Sequence, residues 1–117
     1  MPETIAPVET VVDSHKISHV SGKITVATDA AANNVEIGFI PSFLIIVNYT
    51  NPSMHLYAHG MAAAYNVMIA TAGGMSVVTT GGITEYAGDN NHAPGFTYGT
   101  DGTLNTAADV LYFIAFR

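Results

Sequence analysis

The stretch Gly95-Phe-Thr-Tyr-Gly-Thr-Asp-Gly-Thr-Leu-Asn-Thr-Ala-Ala-Asp-Val-Leu-Tyr-Phe-Ile-Ala-Phe-Arg117 reads as a strand, a turn and a second strand running to Arg117. Gly99, Asp101, Gly102 and Asn105 supply the turn, because Gly tolerates positive φ and Asp or Asn side chains hydrogen-bond their own backbone. From Val110 to Phe116 nearly every residue is β-branched or aromatic, and the two-residue period separates Leu111, Phe113 and Ala115 from Val110, Tyr112, Ile114 and Phe116. Both faces are apolar. The expectation is a strand covered on both sides, in the middle of a sandwich or at a subunit contact.

Working outward, Phe43 to Tyr49 is a second apolar run, closed by Asn48 and Asn51-Pro52. Ile17 to Thr28 alternates, with Gly22-Lys23 read as a bulge or tight turn, and Val35 to Ile37 is a short strand. Between Met54 and Ala70, Ala62-Ala63-Ala64 favours helix while Tyr65, Val67 and Ile69 favour strand, and strands are expected on both sides of Gly73. The pairs Gly73-Gly74 and Gly81-Gly82 flank Met75 to Thr80 and read as hairpin turns, and Glu85 to Pro94 reads as a loop. About eight short strands with turn signals between them predict a single all-β domain over residues 15–117, an antiparallel β-sandwich or jelly roll. Residues 1–14 contain Pro2, Pro7 and three acidic residues, and are predicted to form an extended N-terminal arm. Ile5, Val8, Val11 and Val12 give that arm apolar anchors for a neighbouring subunit.

Composition narrows the function classes. Hydrophobic residues make up 49% and charged residues only 10%, well below the usual share of about 25%. A formal net charge of -6 with no basic cluster argues against nucleic-acid binding. Cysteine is absent, so there is neither a disulfide framework nor a thiolate site. The run Phe43 to Val47 is far shorter than the roughly 20 residues a membrane helix needs, so no membrane partner is expected. Lys16 and Lys23 are the only lysines, too few to guard exposed sheet edges, so the edges must be short or covered by other subunits. A homo-oligomer is expected, with a trimer favoured.

No catalytic constellation emerges. Ser14-His15 beside Asp13 has the residue types of a nucleophilic triad, but sequence neighbours on an extended chain point apart, and there is no Gly-x-Ser-x-Gly elbow. Asp89 and Asp101 sit in turn-rich segments where capping explains them. Neither glycine pair is followed by the Lys-Ser/Thr of a phosphate loop. The pairs His15/His19 and His55/His59 have metal-ligand spacing but no adjacent carboxylate support, and read as structural. No enzyme, cofactor or metal is predicted.

One resemblance can be read. Gly95, Phe96, Thr97, Tyr98, Gly99, Thr100, Asn105, Tyr112, Ala115 and Phe116 resemble the closing motif of small β-sandwich modules in tailed-bacteriophage structural proteins, both head-associated and tail-fibre. Gly38-Phe39-Ile40-Pro41 followed by Phe43 to Asn48 is similar to an earlier element of those modules. They often carry a Gly soon after the turn Asn, where this chain has Thr106, Ala107 and Ala108. The resemblance implies a virion protein assembled in the host cytoplasm: a capsid decoration, or cement, protein docking on the major capsid protein or another virion component. The 49–59 and 85–94 segments are then expected as outward or inter-subunit loops. The alternative it implies is a receptor- or carbohydrate-binding tail-fibre tip, in which Tyr57, Tyr86, Tyr98 and the Asn90-Asn91-His92 loop meet host glycan.

Overall fold

A computed structural model describes residues 18–28 and 31–117. The predicted arm, with Ile5, Val8, Val11 and Val12, lies outside the described residues. Among the described residues nine strands follow in chain order: β1 His19–Thr25, β2 Asn33–Glu36, β3 Phe43–Asn48, β4 Ser53–Ala58, β5 Asn66–Ile69, β6 Met75–Val78, β7 Ile83–Tyr86, β8 Gly95–Tyr98 and β9 Val110–Phe116. They form a six-stranded sheet in the order β1-β9-β3-β4-β5-β6 and a three-stranded sheet in the order β2-β8-β7. All pairings are antiparallel.

This is the expected all-β, antiparallel, sandwich-type fold. The nested pairs β1·β9 and β2·β8 follow jelly-roll logic, whereas β3 to β6 run as a meander within one sheet. The sheets meet through alternating side chains. Leu44, Ile46, Tyr57, Leu111, Phe113 and Ala115 from the large sheet share one buried cluster with Ile83, Phe96 and Tyr98 from the small one. The Phe96 and Phe113 rings meet edge to face at 5.3 Å, the geometry their quadrupoles favour.

The β9 turn is built as its residues predict. Asp101 accepts from the Thr103 N–H at 2.9 Å, and the Asn105 amide donates to Gly99 and Ala31 carbonyls at 2.7 and 2.9 Å. The hairpin predicted around Gly73 joins β5 to β6, with Gly73 at φ 88°.

Three local expectations are corrected, and the open choice at Ala62-Ala63-Ala64 is decided against helix. Gly22 is neither bulge nor turn: β1 pairs with β9 without a break, Gly22 lies opposite Phe113, and a Cβ there would sit 2.8 Å from the Phe113 ring. Gly81-Gly82 is not a hairpin; it carries the chain from one sheet to the other and accepts from the N–H groups of Asp101 and Gly99 at 3.0 and 2.9 Å. Ala62-Ala63-Ala64 forms no helix. Ala64 takes φ 68°, and its N–H and C=O bond Ile83 and Gly82, so the run to β7 claims the backbone a helix would need. Finally, the segment expected as a loop over 49–59 contains β4, an interior strand of the large sheet.

Candidate functional site

The feature with most chemical consequence is the outer face of the large sheet. Register stacks its outward side chains into three cross-strand rows. The first row runs His19, Phe116, Phe43, Ala58. The second runs Ser21, Ile114, Ile45, Leu56, Val67, Val77. The third runs Lys23, Tyr112, Val47, Met54, Ile69, Met75. Beyond β1, every side chain in these rows is apolar or aromatic; Ile45, Val47, Met54, Leu56, Val67, Ile69 and Ile114 are half-buried among their neighbours, and the Tyr49 ring meets Tyr112 edge-on at 5.8 Å. Tyr112 is 45% exposed, Val77 60% and Met75 71%. Half of the β9 expectation therefore holds within one chain: Leu111, Phe113 and Ala115 are buried, while Tyr112 and Phe116 on the opposite face stand in solvent.

A second feature is a cleft of about 310 Å³ lined by Tyr57, His59, Gly60, Met61, Ala63, Thr84 and Glu85. Strand alternation turns the Tyr57 ring into the core while its hydroxyl reaches the cleft wall and donates to Glu85 Oε2 at 2.7 Å. His59 Nδ1 meets the same oxygen at 2.6 Å. The Tyr57 hydrogen bond, then that from His59, holds the Glu85 carboxyl below its ordinary range, and burial followed by Glu85 pushes the Tyr57 phenol up. The result is a fixed carboxylate at the cleft edge. No nucleophile is hydrogen-bonded to His59 among the described residues.

The predicted binding residues divide. Asn90, Asn91 and His92 are exposed on the loop after β7, and Tyr86 ends that strand half-buried. Tyr57 and Tyr98 do not belong with them. Both rings are core residues, so their expected place on a binding surface is corrected: each lies on the inward-facing register of its strand. The loop itself is clasped to β2, for Glu36 accepts from His92 Nδ1 at 2.9 Å and from the Ala93 N–H at 2.9 Å. Asp89 turns the tip by accepting from the Asn91 N–H at 2.8 Å.

The histidine pairs do not converge. His15 lies outside the described residues, and His19 stands exposed on β1. His55 is fully buried, with Asn66 Nδ2 donating to its Nδ1 at 2.9 Å, which places the ring proton on Nε2, 2.9 Å from Thr103 Oγ1. Thr103 Oγ1 in turn donates to Asp101. His59 has left the strand and faces Glu85 instead. Among the described residues no group of three or more His, Asp or Glu has metal-holding geometry.

Sequence reasoning missed the Tyr57–Glu85–His59 and Glu36–His92 contacts, because their partners are 26 to 56 residues apart and meet only through sheet topology. No family model, curated protein or solved structure matches this chain at a significant level.

Proposed function

We propose that this chain is a non-enzymatic virion structural protein, a capsid decoration protein that oligomerises and docks on a larger phage particle. The observation carrying the reading is the apolar outer face of the six-stranded sheet, with Phe43, Tyr112, Phe116, Val77 and Met75 exposed, in a chain with only 10% charged residues. Exposed apolar area this continuous marks a contact surface on a soluble protein. Short edges fit the same role. Three of the four edge strands, β2, β6 and β7, have four residues each, and the fourth, β1 with seven, carries Lys23, which limits uncontrolled strand addition. The resemblance of the Gly95–Phe116 motif to phage head and tail modules supplies the virion context, and residues 1–14 are proposed as the docking arm.

The glycan-binding alternative retains the exposed Asn90-Asn91-His92 loop but loses two of its three stacking rings, since Tyr57 and Tyr98 are buried. The cement reading is therefore preferred. Its test is co-sedimentation of the purified chain with undecorated capsids, with and without residues 1–14. Saturable binding that the deletion weakens is expected. Undiminished binding after the deletion sinks the arm, and no binding by either form sinks the decoration role.

A further inference from the structure

We infer that the outer face of the six-stranded sheet is covered by a second copy of this chain, packed sheet to sheet. The inference rests on the assembly reading and names the partner of its contact surface. Area is the first argument. Five apolar strands spaced about 4.8 Å apart, each rising about 3.3 Å per residue, present a footprint on the order of 500 Å². Two such faces together remove about 1,000 Å² from water, the lower bound for a biological interface. A corrugated surface of Phe43, Ile45, Tyr112, Ile114 and Phe116 raises the true figure above that flat footprint.

Charge is the second argument, and it selects the occupant. A chain with formal net charge -6 repels its own copies unless they meet through a surface without acidic groups. The three apolar rows contain none. Of the acidic groups among the described residues, Glu36 and Glu85 lie on the small sheet, Asp89 and Asp101 in loops, and Asp109 is buried beneath the amides of Asn48 and Asn51. The one charged side chain in the rows is Lys23, at the β1 rim. A basic partner would find no counter-charge here, whereas an identical apolar face meets itself without penalty, as a self-complementary contact requires. Cores of such interfaces are depleted of charge and enriched in aromatics and Met, matching Phe43, Tyr112, Phe116 and Met75.

The test is sedimentation velocity of the full chain at about ten micromolar, with Ile45→Glu at the centre of the face and Tyr112→Glu as a second variant. Tyr112 is already 45% exposed, so that variant keeps the sandwich even if Ile45→Glu does not fold. The wild type is expected at an even multiple of 12.3 kDa and the Tyr112→Glu variant at 12.3 kDa with an unchanged far-ultraviolet spectrum. A wild type at 12.3 kDa overturns the inference, as does a Tyr112→Glu oligomer as stable as the wild type. If the wild type is monomeric and oligomerises only when residues 1–17 are removed, the face is covered by its own chain and the inference also fails. Capsid binding is scored separately: a monomer that binds capsids defeats the inference alone, and an oligomer that ignores them defeats the decoration role alone.

Discussion

Phe43 and Phe116 stand opposite each other across the β3–β9 ladder on the outside of the sandwich, with ring centroids 6.3 Å apart and exposures of 37% and 38%. Cross-strand aromatic pairs of this kind normally stabilise a sheet by contact with each other and with whatever lies above them. On its other side Phe116 meets the His19 ring at 6.3 Å. Three residues earlier on the same strand, Phe113 points inward and is packed on Phe96.

That alternation sets the first prediction. Phe113→Ala should cost about 3–5 kcal/mol of stability, because it opens a cavity between the sheets. Phe116→Ser should cost about 1 kcal/mol or less, as surface changes do. Urea unfolding at a concentration below the association range measures both. Equal losses would mean that the outer face carries folding energy comparable with the core.

Gly22 is predicted to tolerate no side chain while Phe113 keeps its place. Gly22→Ala puts a methyl 2.8 Å from the Phe113 ring and should destabilise by about 1–3 kcal/mol. Adding Phe113→Leu should make the two changes clearly less than additive. Additive losses in that double-mutant cycle would show that the contact is not the cause.

The Glu36–His92 clasp should depend on pH from both sides. Glu36 raises His92 above its ordinary value of 6.5, so that contribution is complete below 6.5 and is lost as pH rises through the folded value. His92, then the Ala93 N–H, lowers Glu36 below 4.5, so that contribution is complete above 4.5 and is lost as pH falls through the folded value. The clasp is strongest between about 4.5 and 6.5. An NMR titration should place the His92 midpoint above 6.5 and return it toward 6.5 in Glu36→Gln. A midpoint unmoved by that substitution would refute the contact.

Buried His55 behaves in the opposite sense. Burial lowers its pKa below 6.5, so the unfolded chain binds the proton more readily and stability falls as pH drops from 6.5 toward the folded value. Thr103→Val removes the oxygen linking His55 to Asp101 and leaves the ring N–H without its acceptor. The expected loss is about 1–3 kcal/mol, measured by urea unfolding at neutral pH.

Much of the fold is legible in residue order because it is written in short periods. The two faces of β9, the closure of β3 at Asn48 and the hairpin at Gly73 all follow from alternation and turn chemistry within a few residues. What escapes such reading depends on distant partners. Gly22 looks like a turn until Phe113 is placed over it, and three consecutive alanines look helical until β7 takes their hydrogen bonds. The tyrosines illustrate the same limit at the candidate site. Tyr57 and Tyr98 resemble surface residues by their polar tips, yet strand register turns both rings into the core, and the Tyr57 tip is satisfied by Glu85 from the opposing sheet. The apolarity of Val110, Tyr112, Ile114 and Phe116 is legible from the two-residue period alone.

The most direct test of the account is the light-scattering mass of the purified chain, alone and after mixing with undecorated capsids. The account predicts a discrete oligomer in isolation that transfers to the capsid peak on mixing. A 12.3 kDa monomer that remains free in the presence of capsids would contradict both the contact surface and the role built on it.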